Sequence, residues 1–273
     1  MNKLICIAGK NRIAVQSLIY LVETLSIDRQ YIWALPNSTD MGVDSWQPSL
    51  KKCAQRLQCK LCTLDEVQQQ DNMLFISLEF DRILKVNSFR STSIFNIHFS
   101  KLPSYKGMYT SVWPILNGES ETGVTLHKVD EGIDTGAIID QFVFKIGIND
   151  TAHDLYFKYL DRAFDLFTKN IQDLLSGKYK AVPQSAIGSS YFAKGSIDFK
   201  NIQIDYKKTS FEIHNNIRAF IFPEYQVPIL EGCPIIKSEL TDEFIGRNCL
   251  QSTDFGFVVS GIDGYRINLY TKK

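Results

Sequence analysis

Apolar positions recur along this chain in two rhythms. Short unbroken runs, KLICIA (3–8), YIWAL (31–35), KLCTL (60–64), MLFISL (73–78) and SIFNIHF (93–99), have the length and composition of strands buried on both faces. After the first of them, IAVQSLIYLVETL (13–25) spaces its apolar residues as a helix does, with a start near Asn11. Runs of this kind alternating with helical stretches predict a mostly parallel sheet with helices on both faces, a Rossmann-like α/β architecture. Residues 121–129 and 137–146 read as two further strands. From His153 to Leu175 the period is helical, carried by Leu155, Tyr159, Leu160, Ala163, Phe164, Phe167, Ile171 and Leu174, and Gly177 and Pro183 end it.

A polar, turn-rich connector (177–190) follows, and beyond it short strand-like segments and one helix (209–219) predict a smaller mixed α+β unit. The expected division is therefore a larger domain over 1–182 and a smaller one over 183–273. No internal repeat is visible.

Charge narrows the partners. Thirty Lys and Arg balance thirty Asp and Glu in 273 residues, and residues 190–273 hold ten of each, so no basic field favours nucleic acid. No run approaches the roughly twenty apolar residues that cross a bilayer, and MNKLICIAGKN reads as a strand and a turn rather than a secretory signal. The expectation is a cytoplasmic protein with no membrane partner. Six cysteines in a chain of this length read as reduced thiols; Cys59-Lys60-Leu61-Cys62, with Cys53, lacks the further ligands of a four-coordinate metal site, and no metal is expected.

The candidate chemistry lies in FNIHFSKLPSYKG (95–107) and TGVTLHKVDEGIDTG (122–136). Asn96 and His98 are two apart on a strand, so both side chains leave the same face. Asp134 lies between Gly132 and Gly136 in a loop. An amide that donates without ionising, an imidazole near its own pKa and a carboxylate suit acyl transfer. The same residue types also suit backbone-satisfied strand ends and an Asx turn. Gly9, Lys10, Asn11 and Arg12 do not make a GxGxxG dinucleotide fingerprint; instead, a strand-to-helix turn with two cations suits a phosphate, or is an ordinary solvated turn.

Three motifs in this order, Asn96-Ile97-His98, Leu102-Pro103-Ser104-Tyr105-Lys106-Gly107 and Gly132-Ile133-Asp134-Thr135-Gly136, resemble the folate-dependent formyltransferases over the first two thirds of the chain. AGKNRIAV (8–15), ISLEFDRIL (76–84) and KGMYTSVWPILNGE (106–119) are most similar to the sugar N-formyltransferase branch. The resemblance implies transfer of a formyl group from 10-formyltetrahydrofolate to the amine of a nucleotide-linked amino sugar, with dTDP-4-amino-4,6-dideoxyglucose as the first choice. It also implies a place in lipopolysaccharide O-antigen precursor synthesis, and a homodimer formed through the smaller unit. In such a reaction Asn96 and His98 stabilise the oxygen of a tetrahedral centre, while Asp134 holds the His98 tautomer and helps move the amine proton; which of the two is the formal base stays open.

By the same resemblance Leu78, Phe80, Asp81 and Ile83 are folate contacts, although apolar members of such a segment also serve as core. Lys10, Asn11, Arg12 and Tyr105 are substrate contacts, together with Met108, Tyr109, Thr110 and Ser111, the last two doubling as candidate helix caps. Arg218, Phe222 and Tyr225 are expected at the nucleotide, as a phosphate cation and base stackers; Tyr191 and Lys194 are weaker candidates. His127, His153 and His214 read as structural. The competing functions are formylation of methionyl-tRNA or a 3-amino sugar nucleotide, hydrolysis of formyltetrahydrofolate, and folate or nucleotide binding without catalysis.

Overall fold

The computed structural model describes residues 3–199 and 202–272. In chain order the elements are β1 (Leu4–Gly9), α1 (Asn11–Ile19), β2 (Ile32–Pro36), α2 (Leu50–Leu57), β3 (Lys60–Leu61), α3 (Leu64–Gln68), β4 (Met73–Leu78), β5 (Ser93–His98), β6 (Lys106–Gly107), α4 (Trp113–Leu116), β7 (Glu121–Lys128), β8 (Ile138–Lys145), α5 (Ala152–Ser176), β9 (Tyr191–Phe192), α6 (Ser210–Ala219), β10 (Ile229–Leu230), β11 (Cys233–Phe244), β12 (Leu250–Thr253), β13 (Gly256–Val259) and β14 (Tyr265–Thr271). They partition into two compact units that interleave in sequence. The first comprises the chain up to Lys106, Gly123–Val143 and Tyr159–Tyr191; the second comprises Gly107–Thr122, Phe144–Lys158 and the chain from Phe192 onward. The sequence suggested one boundary after residue 182, but 107–122 and 144–158 cluster with the C-terminal residues.

The first unit is built on a seven-stranded sheet in the order β3-β2-β1-β4-β5-β7-β8. β1 pairs in parallel with β2 and β4, and β4 with β5, as the unbroken apolar runs predict. Pleating sends Cys6, Ala8, Trp33, Leu35, Met73 and Phe75 into one buried cluster with Val67, Phe89 and Ile94. The alternate residues Ile5, Ile7, Ile32, Leu74 and Ile76 are buried too. Each such side chain contributes about 1.5–3 kcal/mol of transfer free energy. At the end of β1, Gly9 (φ 147°) is obligatory, because a Cβ there would stand 1.8 Å from the Leu78 carbonyl oxygen of β4.

The strand expected over 60–64 is cut to Lys60–Leu61. Thr63 caps α3 instead: its hydroxyl accepts from Glu66 N, and the Glu66 carboxylate accepts from Thr63 N, a reciprocal box that outcompetes extension of the strand. β7 departs from the parallel pattern: it runs antiparallel to β5, placing Asn96 opposite His127 and His98 opposite Thr125.

The second unit holds a five-stranded antiparallel sheet, β10-β11-β14-β13-β12, with α6 packed on it. Ile213, Ile217 and Ile221 meet Leu230, Ile235, Phe257, Val259, Ile267 and Leu269 in its core. Thr209 and Glu212 form a second capping box at the start of α6.

Candidate active site

Strand β5 brings Asn96 and His98 to one face, and the loop between β7 and β8 brings Asp134 to them. The His98 Nε2 stands 2.8 Å from the Tyr105 carbonyl oxygen. A carbonyl only accepts, so Nε2 carries the hydrogen, and in the neutral ring Nδ1 keeps its lone pair. That nitrogen lies 3.5 Å from Asp134 Oδ2. Sequence reasoning gave Asp134 the task of holding the tautomer; the structure gives it to Tyr105, whose backbone adopts φ 61°. Asp134 is placed to stabilise a proton arriving on Nδ1.

The Asn96 amide nitrogen lies 3.3 Å from Asp134 Oδ1 and 3.1 Å from His127 Nε2. His127 is buried, and its Nδ1 is 2.7 Å from the Lys128 carbonyl oxygen, so Nδ1 donates and Nε2 accepts from Asn96. His127 Nε2 is also 3.6 Å from Asp134 Oδ1. The sequence shows His127 only as a packed strand residue. Its contact with Asn96 follows from the β5–β7 register, which leaves no local signal.

Both loops of the site are rigidly specified. Asp134 itself takes a left-handed conformation (φ 54°), and the loop closes tightly enough that a Cβ on Gly136 would lie 1.8 Å from the Lys128 carbonyl oxygen. Inside the loop the Thr135 hydroxyl donates to Asp130 (2.6 Å). In the other loop the buried Lys106 ammonium donates to the Pro103 carbonyl (2.9 Å) and the Ser189 hydroxyl (2.7 Å). Burial lowers the Lys106 pKa, and the charge of Asp134 partly restores it, so the field of this cation reaches the site. Behind His98, Thr125 donates to the Ser100 carbonyl (2.7 Å) and accepts from Gln141 (2.8 Å), which fixes the turn after β5.

The other first-unit candidates divide by environment. Leu78 and Phe80 belong to the interior, Leu78 fully buried and Phe80 packed on the apolar cluster, whereas Ile83 is 79% exposed. The Asp81 carboxylate accepts from the Ser38 amide (3.0 Å) and hydroxyl (2.7 Å). Asn37, which the sequence did not single out, ties this loop down: its amide donates to the Glu79 carbonyl (2.9 Å) and accepts from Asp81 N (3.3 Å). At the first strand-to-helix turn Lys10 is the cap of α1, Asn11 is buried at φ 64°, and Arg12 pairs with Asp161 at 2.6 Å. With the Asp161 side chain 63% exposed, that pair adds little stability.

Within the second unit, Met108 is 44% exposed, and Tyr109 (φ 60°) donates through its hydroxyl to the Lys194 carbonyl (2.9 Å). Thr110 and Ser111 are half-buried, and neither caps α4, whose cap residue is Val112. Arg218 is 2% exposed and braces the fold: its Nε donates to Asn215 (2.9 Å), and its Nη1 donates to the carbonyls of Gly147 (3.1 Å) and Asp150 (2.6 Å). Burial brings its pKa down to about 10, against the opposing pull of Asp150, so it stays charged at neutral pH. The guanidinium expected at a phosphate is thus committed to α6 and the 147–150 turn. Phe222 is buried among His153 (5.2 Å between ring centres), Tyr156 (5.5 Å) and Tyr225 (5.0 Å), while Tyr225 is 62% exposed. Of the two expected stackers, only Tyr225 presents a face. His214 is fully buried between the Ser238 hydroxyl (2.7 Å) and the Ile148 carbonyl (2.8 Å).

Among the described residues no group of three or more His, Cys, Asp or Glu side chains is placed to hold a metal ion, and no helix is long and apolar enough to cross a membrane. The cysteines are free thiols, Cys59 being pushed up to about 11 by burial.

This chemistry has relatives. The formyl transferase family model matches residues 48–171. A crystal structure of an N-formyltransferase from Helicobacter canadensis, in complex with folinic acid and dTDP-3-aminofucose, is 51% identical over 100% of both chains, with a TM-score of 0.96. WlaRD, a sugar 3N-formyl transferase solved with dTDP and 5-N-formyl-THF, is likewise 51% identical, over 99% of this chain and 98% of its own, with a TM-score of 0.96. Methionyl-tRNA formyltransferase from Synechocystis sp. is 31% identical over 66% of this chain and 52% of its own length. The chain spans about half the length of the curated relatives it first matches. It belongs to the formyltransferase family, in the folate-dependent sugar N-formyltransferase branch.

Proposed function

We propose that this protein transfers a formyl group from 10-formyltetrahydrofolate to the amine of a dTDP-linked amino-dideoxy sugar, with Asn96, His98 and Asp134 as the catalytic residues. The observation that carries the reading is the convergence of the Asn96 amide and the His98 imidazole on one carboxylate, within 3.5 Å. His98 acts through Nδ1, the nitrogen that Tyr105 leaves basic: it receives the proton that the attacking amine sheds as the new carbon–nitrogen bond forms, and returns it to the folate nitrogen as the bond from that nitrogen to the formyl carbon breaks. Asp134 stabilises the resulting imidazolium, and Asn96 donates to the oxygen that gains charge. Such a donor is worth roughly 2.7–4 kcal/mol in the transition state.

The folate supplies the activated formyl group. The 78–83 loop fits a flat heterocycle: it leaves β4 beside β5, where Ser77 pairs with Asn96, it is pinned by Asn37, and it exposes the apolar Ile83. For the acceptor we favour the C3 amine of a dTDP-linked 3-amino sugar over the C4 amine of dTDP-4-amino-4,6-dideoxyglucose. The support is the 51% identity, over essentially full length, to a protein solved with dTDP-3-aminofucose and to one described as a sugar 3N-formyl transferase. Within the second unit, Tyr225 offers its exposed ring to the base, with Tyr109 as a further substrate contact. The C-terminal residues from 183 onward carry the nucleotide contact and a homodimer interface in this proposal, and the enzyme works in the cytoplasm on O-antigen precursors.

Incubation with 10-formyltetrahydrofolate and dTDP-linked 3-amino and 4-amino sugars, read by mass spectrometry, tests the proposal. A formylated 3-amino product is expected, with turnover lowered about 100-fold or more in Asn96→Ala. Formate without formylated sugar would select the hydrolase instead, and folate binding with no turnover would select a binding protein.

A further inference from the structure

The catalytic residues reach one another through a segment that carries none of them. Residues 182–190, in the polar connector after α5, bond to both loops of the site. Val182 pairs with Ile138 at the start of β8, each amide donating to the other's carbonyl at 2.8 Å. The Gln184 amide nitrogen donates to the carbonyls of Asp134 (2.8 Å) and Gly136 (2.8 Å). Four residues on, the Gly188 carbonyl accepts from Ser104 (2.8 Å), Ser189 accepts from Lys106 (2.7 Å), and the Ser190 hydroxyl accepts from Tyr105 N (2.8 Å). The Ser190 carbonyl then accepts from Lys106 N (2.9 Å).

Two loops that lie far apart in sequence are thus tied to one short strap. One loop carries Asp134; the other carries the Tyr105 carbonyl that decides which nitrogen of His98 is basic. We infer that residues 182–190 set the distance between the His98 imidazole and the Asp134 carboxylate, with Gln184 as the positioning residue on the Asp134 side. This rests on the formyltransfer reading of the site.

The Gln184 side chain is well suited to that task. Both of its donated bonds come from one nitrogen, whose two hydrogens bridge carbonyls two residues apart, across the left-handed turn that Asp134 makes. The amide cannot be flipped without setting its oxygen against two carbonyl oxygens. Its own Oε1 is buried without a hydrogen-bond partner among the described residues. A buried acceptor left unpaired is unfavourable, so the orientation is held by what the nitrogen does for the loop.

The test uses the full chain with two variants, Gln184→Ala and the near-isosteric Gln184→Met, in steady-state formylation assays and in hydrogen–deuterium exchange of the 130–137 amides. Expected are a fall in kcat of about 10- to 100-fold in both variants, as misplacement of a reacting group by an ångström or less produces, KM values for donor and acceptor within twofold, and faster exchange of the Asp134 loop. Turnover within twofold of the parent in both variants, or an Asp134 loop that exchanges at the parent rate, would overturn the inference. A parent enzyme inactive on every nucleotide amino sugar, with the loop still loosened in the variants, would sink the formyltransfer reading and leave the positioning role of the strap standing.

Discussion

His127 and Asn96 face each other across β5 and β7 with the imidazole Nε2 3.1 Å from the amide nitrogen, and the hydrogen on the opposite ring nitrogen, held by the Lys128 carbonyl, makes this contact an acceptance by the ring. One hydrogen of the Asn96 amide is therefore committed to His127, which turns the other toward Asp134 and the reacting centre. His127→Leu removes the acceptor, so kcat should fall by about tenfold while KM stays within twofold, the loss of one hydrogen bond in a buried network being worth 0.5–1.5 kcal/mol. His127→Gln, which can again offer an acceptor, should recover part of the loss. Equal activity of both variants and the parent in a steady-state assay would remove His127 from the site.

Gly136 lets the Asp134 loop close. A methyl group there would sit 1.8 Å from the Lys128 carbonyl oxygen, so Gly136→Ala must push the loop outward. Turnover should be lost by roughly two orders of magnitude, in keeping with displacement of a reacting group, whereas the melting temperature should drop by only a few degrees because the loop lies at the edge of the core. A crystal structure or exchange profile with an unmoved loop would contradict this.

Stability should depend on pH through His214. Burial holds its pKa at about 4 against an ordinary 6.5, so between those values the unfolded chain takes up a proton that the folded one refuses. The stability it contributes is complete above pH 6.5 and is lost as the pH falls toward 4, on the order of 3 kcal/mol in all. Urea midpoints measured from pH 7 down to 4.5 should decline, and His214→Gln should flatten that decline. An equally steep curve in the variant would assign the effect to other groups.

Arg218 separates two roles cleanly. If its guanidinium braces α6 against the 147–150 turn, Arg218→Met should cost about 3 kcal/mol of unfolding free energy, since carbonyls and Asn215 lose a buried charged donor. Nucleotide-sugar affinity of the folded variant should stay within about twofold by calorimetry. A large loss of affinity with unchanged stability would return Arg218 to a phosphate.

Much of the first unit could be read from the chain because its strands are apolar on both faces, a pattern with few alternatives. Asn96 and His98 were legible because strand alternation is local. Asp134 was marked by its glycines and by resemblance. What stayed hidden depends on pairing between distant segments: His127 acts through a register, Asn37 through a loop after another strand, and Tyr105 through its backbone oxygen. That the side chains of Arg218, Phe222 and Leu78 turn to the interior is hidden for the complementary reason. A cation or an aromatic ring in a suggestive motif looks the same in sequence whether it faces a ligand or the interior, and only the carbonyls around Arg218 and the rings around Phe222 decide it.

The antiparallel arrangement of β5 and β7 also governs what length changes this molecule can absorb. Extra residues between 108 and 120 lengthen a connection and leave both the Asn96–His127 ladder rung and the Tyr105 loop untouched. A single residue gained or lost within 121–127 offers Leu126 or Lys128 to Asn96 in place of the imidazole and turns every side chain of that strand to the opposite face. Divergence in chain length should therefore accumulate in the connection, with the spacing from Asn96 to His98 and from His127 to Asp134 held constant.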